Sequence, residues 1–283
     1  MTAVIVDPPV LAARLAAGPL LVIDARADLA DPARGPAAHA AARIPGAVHA
    51  DLERDLSDLS RANLGRHPLP TSAAFSALLS RWGWRPDLPV VVYDDAAGAL
   101  AAARAWWLLR AAGSAEVAVL DGGFAAWQAA GLPLESGTAQ PRRASSVNVD
   151  FDPAMHLDAD ALAAALAAGT IVLLDARAAP RYRGEVEPID PVAGHVPGAR
   201  NRPYTDNLDA AGRFKTPVAL AAEFAALTDA RAPGEVVHMC GSGVTACHNV
   251  LAMTHAGLAG SRLFAPSWSG WIADRARPVA TGA

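Results

Sequence analysis

The sequence has few cysteines, a single lysine and no long apolar run. Of its 283 residues only Cys240 and Cys247 are cysteines, so no disulfide framework is expected. Thiols of this kind suit a reducing compartment, which predicts the cytoplasm. A membrane helix needs about 18 or more consecutive apolar residues, and no segment comes near that length. Residues 1–15 lack the basic and then apolar order of a signal peptide. We therefore expect no membrane partner.

Charge of neither sign dominates. Lys and Arg together number 24 against 28 Asp and Glu, which gives a formal net charge of -4. Such a balance implies no basic surface for nucleic acid. Because Lys215 is the only lysine, a binding site that needs a cation has to use arginine, whose planar guanidinium can bind an anion through two hydrogen bonds.

A long internal repeat divides the chain into two similar halves. LLVIDAR at 20–26 returns as IVLLDAR at 171–177, and IPGAVHADL at 44–52 returns as VPGARNRPY at 196–204. A third pair joins DGGFAAWQAAGLP at 121–133 with APSWSGWIADRARP at 265–278. Three matching blocks in the same order indicate a duplicated domain, since each copy is long enough to bury its own core.

Each copy alternates short apolar strands with alanine-rich helices, a pattern that predicts an α/β fold. We expect two domains, residues 1–135 and 150–283, joined by a linker over 136–149 that is rich in Ser, Pro and Arg. Each domain should be a small, mainly parallel sheet flanked by helices on both faces. The predicted strands are 20–24, 90–93, 171–175 and 236–239. The predicted helices are 8–17, 72–82, 100–112, 158–168, 217–227 and 244–255.

Cys240 follows a predicted strand of the second copy and precedes a predicted helix. Ligands bind at the carboxyl ends of strands in open α/β sheets. Gly241 and Gly243 let the backbone turn so that successive N–H groups converge above the sulfur. The helix dipole adds positive potential, so the loop should stabilise a thiolate and make Cys240 a nucleophile. Cys247 lies inside the predicted helix, where a structural role is expected.

Several motifs together resemble the tandem-domain rhodanese-type sulfurtransferases. They are CGSGVTA at 240–246, the DAR…RYRGEVEP segment at 175–188, GHVPGARN at 194–201 and SWSGW at 267–271. The resemblance spans nearly the whole chain. It implies two rhodanese-like domains, the first catalytically inactive and the second catalytic.

What the resemblance implies for the chemistry is transfer of a sulfane sulfur through a persulfide. Its carrier would be Cys240, and the rest of the catalytic loop would be Gly241, Ser242, Gly243, Val244 and Thr245. The donor would be a small anion, 3-mercaptopyruvate or thiosulfate. The acceptor would be cyanide, a thiol or a thioredoxin-like protein. No metal or organic cofactor is expected, because the sulfur is carried covalently.

Arginines should hold the anionic donor. Arg181 matches the family's substrate arginine, and Arg177 follows the strand-ending Asp175, where it can order the loop or bind substrate. His67, in RHPLP at 66–70, matches a histidine that mercaptopyruvate-type enzymes lend to the site for proton transfer. Its carboxylate partner would be Asp51 or Asp55, and the sequence does not choose between them.

The sequence leaves the donor open. The Gly241-Ser242 pair resembles mercaptopyruvate enzymes, because many thiosulfate enzymes carry charged residues there. Mercaptopyruvate-type enzymes also have a second substrate arginine shortly after the Glu-Pro pair, where this chain has Ile189-Asp190. That difference favours a thiosulfate-specific enzyme as the alternative.

Two rival functions fit the sequence less well. A rhodanese-like phosphatase needs an arginine six residues after the cysteine, and that position is Ala246. A non-catalytic binding module would have lost the cysteine in both copies. The first copy has lost it, since Asp94-Asp95 follows the strand at 90–93, but the second retains Cys240.

Overall fold

The protein's structure is a computed structural model that describes residues 3–283. These residues form two compact units. The first comprises the described residues up to Asp58 together with Leu69–Asp152, and the second comprises Leu59–Pro68 together with Pro153–Ala283. Each unit has its own sheet and its own apolar core.

The first unit is a five-stranded sheet with four principal helices. Its strands are β1 (Ile5–Val6), β2 (Leu21–Asp24), β3 (Val48–His49), β4 (Val90–Tyr93) and β5 (Val117–Leu120). Its helices are α1 (Pro8–Ala17), α2 (Arg34–Ala41), α3 (Ser72–Arg81), α4 (Ala101–Ala111) and the short α5 (Gly123–Ala129). The strand order is β1-β5-β4-β2-β3, with parallel pairing between neighbours. Strands β2, β4 and β5 are buried throughout, as parallel strands covered by helices are.

The second unit repeats the inner part of that sheet. Its strands are β6 (Val172–Asp175), β7 (Arg200–Asn201), β8 (Val236–Met239) and β9 (Arg262–Leu263). Its helices are α6 (Ala159–Ala167), α7 (Ala179–Tyr182), α8 (Pro217–Leu227), α9 (Ala246–His255) and α10 (Ser267–Trp271). The order β7-β6-β8-β9 is again parallel and corresponds to β3-β2-β4-β5 of the first unit. The α/β prediction of two parallel sheets flanked by helices is confirmed.

The strand register makes the two copies comparable residue by residue. Leu21 lies opposite Val90 in the first sheet, and Val172 lies opposite Val236 in the second. Counting from these pairs, the residue that follows β4 is Asp94 and the residue that follows β8 is Cys240. The same edge of the two sheets therefore presents a carboxylate in one copy and a thiol in the other.

The domain limits differ from the predicted 1–135, 136–149 and 150–283. Residues 59–68 leave the first copy and pack with the second unit. Their place is fixed by Gly65, which adopts φ +87°, and a Cβ there would overlap the carbonyl oxygen of Pro266. The predicted linker lies along α3 of the first unit, where the backbone N–H of Ser145 donates to Ser80 at 2.9 Å.

Helix α9 begins at Ala246, two residues later than the predicted start at Val244. The reason is local, since Val244 and Thr245 complete the tight turn that follows Gly243 before regular helical bonding begins. Within residues 3–283, no helix has both the length and the apolar character needed to cross a membrane.

Candidate active site

The Cys240 loop is held between β8 and the start of α10. The backbone N–H groups of Trp268 and Ser269 donate to the carbonyls of Cys240 and Gly241, each at 3.0 Å. The N–H of Cys240 donates in turn to Ser267 Oγ at 3.1 Å. Three bonds to one short helix fix the loop, and Cys240 is left only 2% exposed. Cys240 is therefore a buried residue of a fixed loop.

Gly243 directs its N–H at the sulfur. Its nitrogen lies 3.2 Å from Cys240 Sγ, in the direction that stabilises negative charge on that atom. The residue adopts φ +79°, and a Cβ there would overlap the carbonyl oxygen of Ala265. Glycine is therefore needed both for the left-handed backbone and for the close approach of the two chains.

Ser242 and His67 are brought together by the segment 59–68. His67 Nδ1 lies 2.8 Å from Ser242 Oγ, and the two residues are 7% and 6% exposed. A hydroxyl and an imidazole in hydrogen-bond contact, one residue after the cysteine and its glycine, can hold and pass on a proton. Sequence reasoning proposed both residues, and the structure places them in direct contact.

Asp51 and Asp55, the two candidate partners of His67, belong to the first unit. Asp51 Oδ1 accepts the backbone N–H groups of Glu53 and Arg54, both at 3.0 Å. Asp55 Oδ2 accepts the N–H of Asp51 at 2.9 Å, and burial raises the pKa of the Asp55 carboxyl. These contacts hold a turn in the first unit.

Two guanidinium groups lie over Gly241. A Cβ built on this glycine would stand 2.9 Å from Arg66 Nη2 and 3.6 Å from Nη1 and Nη2 of Arg181. Arg181 was anticipated from the sequence, but Arg66 was not. Little in the sequence indicates Arg66, because this residue lies in the first copy along the chain. It reaches the site only because residues 59–68 pack with the second unit.

Carboxylates of one short loop hold these arginines. Asp190 pairs with Arg66 through Oδ1 and with Arg181 through Oδ2, the latter at 3.3 Å. Glu187 accepts from Arg181 Nη2 at 2.6 Å. Burial acts to raise the pKa of Glu187, but hydrogen bonds from Arg181 and from two backbone N–H groups outweigh it and hold that pKa below its usual value. Glu187 is therefore a fixed anion that orients Arg181.

Arg177 uses its donors inside the protein. It bonds to Asp175 at 2.7 Å and to the carbonyl of Gly194 at 2.8 Å, and its guanidinium stacks 4.8 Å from the ring of Trp268. Its side chain is 2% exposed. The first copy repeats the arrangement, since Arg26 bonds to Asp24 at 2.6 Å although no cysteine lies nearby in that copy.

Cys247 is the second residue of α9, and its side chain faces back toward the loop. Its Sγ contacts the carbonyl oxygen of Gly243 at 3.4 Å, and the residue is fully buried. Both cysteines are free thiols. Among residues 3–283, no group of three His, Cys, Asp or Glu side chains is arranged to hold a metal ion.

Comparisons with known proteins agree with this geometry. The rhodanese-like domain family matches residues 7–130 and 158–274. A Pseudomonas aeruginosa protein named as a probable 3-mercaptopyruvate sulfurtransferase is 52% identical over 274 residues, 96% of each chain. A Mycobacterium tuberculosis protein named as a candidate thiosulfate sulfurtransferase is 43% identical over 282 residues, 99% of this chain and 97% of its own.

A solved structure shows the same fold. The crystal structure of an Escherichia coli protein, described as a 3-mercaptopyruvate sulfotransferase with the rhodanese fold, superposes with a TM-score of 0.81 at 33% identity. The match covers 95% of this chain and all of the other.

Two repeated α/β units, one with a cysteine loop at the carboxyl edge of its sheet, define the class of protein. The chain belongs to the rhodanese family, with two rhodanese-like domains. Within that family it is an enzyme, a sulfurtransferase.

Proposed function

We propose that this sulfurtransferase carries sulfur on Cys240 and takes it from 3-mercaptopyruvate. The observation that supports the proposal is the Gly243 N–H at 3.2 Å from Cys240 Sγ, in a loop that lies beneath two guanidinium groups. This pairing suits an anionic donor and an anionic sulfur intermediate. The names of the relatives from Pseudomonas aeruginosa and Escherichia coli agree with the donor.

In the first step, the Cys240 thiolate attacks the sulfur of 3-mercaptopyruvate. A bond forms between the two sulfurs while the bond from sulfur to carbon breaks, and the electron pair of that bond goes to the carbon as the enolate of pyruvate. Sulfur is oxidised to the sulfane level and carbon is reduced. The persulfide that results is anionic, and the Gly243 N–H can stabilise it as it stabilises the thiolate.

Ser242 and His67 act on the proton. The donor enters as a thiol and leaves as pyruvate, so its sulfur-bound proton has to reach the enolate carbon. The Ser242 hydroxyl, in contact with His67 Nδ1, can accept that proton and return it with no net gain or loss. Arg181 binds the donor, while Arg177 is a positioning residue whose buried contacts order the loop. Val244 and Thr245 shape the turn.

In the second step, a thiophilic acceptor removes the outer sulfur. A thiol acceptor gives its proton to the anionic persulfide, and the acceptor thiolate then attacks the outer sulfur. The bond between the two sulfurs of the persulfide breaks, which restores the Cys240 thiolate and leaves the acceptor as a persulfide. Cyanide would attack the outer sulfur of the anionic persulfide directly and leave as thiocyanate. The outer sulfur extends about 2 Å beyond Sγ, so a larger acceptor such as a thioredoxin-like protein can reach it more easily than the buried thiol. Free thiols at both positions fit the cytoplasm as the place of action.

Steady-state formation of thiocyanate from each donor and cyanide tests the proposal. Cys240→Ser should lower kcat/KM by about 10³-fold or more with either donor, because no second nucleophile replaces the thiolate. Cys247→Ser is the matched control and should retain most activity. Equal damage from both substitutions would replace the single-cysteine cycle with one that passes through a disulfide.

The same assay decides the donor. A higher kcat/KM with mercaptopyruvate supports the proposal, whereas a higher value with thiosulfate would transfer the assignment to the thiosulfate-specific alternative. Absence of transfer from every sulfur donor would leave a binding module.

A further inference from the structure

The two arginines over Gly241 approach it with different nitrogens. Arg66 Nη1 is paired with Asp190, so Nη2 is the nitrogen that faces the loop. Arg181 pairs through Nε and Nη2 with Glu187, which leaves Nη1 directed at the same glycine. The result is a clamp in which each guanidinium presents an Nη atom to the space over Gly241, the residue that follows Cys240.

Arg66 is built into this site as a fixed group. Its backbone N–H donates to Ser269 Oγ at 3.0 Å, and Ser269 also donates its own N–H to the Gly241 carbonyl. Asp190 is almost fully buried, with 3% of its side chain exposed, and it holds Arg66 and Arg181 with its two oxygens. A buried carboxylate shared by two arginines fixes the distance between them.

The arginines are arranged by depth. Exposed side-chain fractions rise from 2% for Arg177 to 19% for Arg181 and 32% for Arg66. Of these three arginines Arg66 is the most exposed, so its guanidinium is the one that solvent and an entering anion reach most easily. Its pairing with Asp190 leaves it accessible to a ligand on its outer side.

We infer that Arg66 is a specificity-determining residue that binds the carboxylate of the keto-acid donor, while Arg181 binds closer to the transferred sulfur. The inference rests on the proposed function. In 3-mercaptopyruvate the methylene and keto carbons lie between the sulfur and the carboxylate. When the sulfur faces Cys240, the carboxylate therefore points away from it, toward Arg66. In thiosulfate the sulfonate is bonded directly to the transferred sulfur, so its charge stays near Arg181.

The test compares Arg66→Gln with wild type on both donors. Loss of one charge-assisted contact at a partly exposed residue should lower kcat/KM for mercaptopyruvate about tenfold. The value for thiosulfate should change less than threefold, and Arg181→Gln should lower both. Arg85→Gln removes an exposed arginine paired with Asp87 and is the matched control, expected to change neither donor.

Inhibition by the product pyruvate tests the contact between Arg66 and the carboxylate independently. Pyruvate retains the carboxylate but has no sulfur, so Arg66→Gln should weaken its inhibition about as much as it lowers mercaptopyruvate turnover. Inhibition by sulfite should be little affected. Arg66→Lys, which keeps the charge without the planar pair of donors, should recover part of the loss.

The double variant Arg66→Gln/Asp190→Asn distinguishes carboxylate binding by Arg66 from a purely structural role of Arg66. If Arg66 only balances the buried Asp190, Arg66→Gln would disturb Arg181, both donors would fall together and the double variant would recover activity with both. That result, or an unchanged donor ratio, overturns the inference while wild-type transfer still stands. No sulfur transfer by the wild-type protein would instead overturn the proposed function.

Discussion

The loops that follow β4 and β8 share a backbone course but hold different groups. The carbonyl of Asp94 accepts the N–H of Phe124 at 2.8 Å, and the carbonyl of Cys240 accepts that of Trp268 at 3.0 Å. In both loops the residue three positions later is left-handed, Ala97 at φ +54° and Gly243 at φ +79°. The duplicated domain has thus kept the same turn for two purposes.

The first loop shows what the turn holds when a carboxyl stands in place of the cysteine. The Asp94 carboxyl accepts four backbone N–H groups at 2.8 to 3.2 Å, from Ala96, Gly98, Leu100 and Ala102. Because all four contacts are donated to it, the geometry fits an ionised carboxylate. Burial nevertheless raises the pKa of Asp94, and three of these N–H groups act to lower it. The turn is a cradle for an anion, filled here by the protein itself.

The second loop leaves that cradle to a reactive atom. Cys240 takes the place of Asp94, with the Gly243 N–H on its sulfur, and Arg66 and Arg181 lie above. In the first copy the Asp94 carboxyl occupies the backbone donors, and as a carboxylate it would repel an anionic sulfur donor. This difference fits the proposal that the backbone turn stabilises an anion, that Cys240 reacts and that the two arginines bind the donor.

Among substitutions in the two loops, Gly243→Ala is expected to have the largest effect, a fall in kcat. The added Cβ would overlap the Ala265 carbonyl and displace the N–H that faces Cys240 Sγ. Losing one preorganised donor to a developing anion costs about 10²-fold in kcat or more. The steady-state assay with cyanide measures it.

Ala97→Gly is the matched control, since Ala97 already carries a Cβ at the equivalent position of the first loop. It should leave kcat within twofold. A normal kcat for Gly243→Ala would show that the N–H at 3.2 Å from the sulfur does not contribute to turnover.

The next effect concerns stability of the first unit. Asp94→Ala leaves four backbone N–H groups without their carboxylate and should lower the free energy of unfolding by about 2–4 kcal/mol. Calorimetry of the unit's own transition measures this. The kcat of the molecules that remain folded should be unchanged, because the reacting groups lie in the second unit.

Asp95→Ala is the control for Asp94→Ala. Asp95 is the adjacent exposed carboxylate, and its removal should change stability by no more than about 0.5 kcal/mol. Equal destabilisation by the two substitutions would mean that the cradle around Asp94 has no special importance.

The smallest effect concerns acid stability. His238 occupies in β8 the position that Val92 has in β4, and burial lowers its pKa from 6.5 to about 3. The unfolded chain therefore binds a proton that the folded protein excludes, so stability falls as pH drops from about 6.5 toward 3. His238→Val should remove a decrease on the order of 1–2 kcal/mol between pH 7 and pH 5.

Urea midpoints at the two pH values measure this dependence on His238. The free energy of unfolding that His238→Val loses because valine is smaller is the same at both pH values, so it cancels in the difference between them. If the pH dependence of stability were unchanged in His238→Val, the imidazole would take up its proton as readily in the folded protein as in the unfolded chain.

Local sequence predicted most of the fold because strong local signals mark it. The predicted helices 8–17 and 217–227 match α1 and α8, each of which has proline in its first turn, and the apolar runs match β4 and β8. The start of α9 was wrong by two residues, because the apolar pattern continues through Val244 although the turn still occupies it. Periodicity reports which side of a helix is apolar, and it does not report where a preceding turn ends.

The site was harder to predict in the parts that depend on tertiary structure. The Cys240 loop with Ser242, and His67, follow from motifs, whereas the contact between His67 and Ser242 comes from the structure. Arg66 does not follow from a motif, because it reaches the loop only when residues 59–68 join the second unit. Asp190 was interpreted as the absence of a cation, whereas the structure shows it holding one cation from each half of the chain.

In the proposed cycle sulfur travels on Cys240 alone, and the decisive measurement is the intact mass of the Cys247→Ser protein. After incubation with 3-mercaptopyruvate and removal of the donor, we expect a gain of one sulfur atom, located in the peptide that contains Cys240. Cyanide should return the protein to its starting mass. A Cys247→Ser protein that turns over but never gains sulfur, or a Cys240→Ser protein that gains it, would rule out a cycle that uses Cys240 alone.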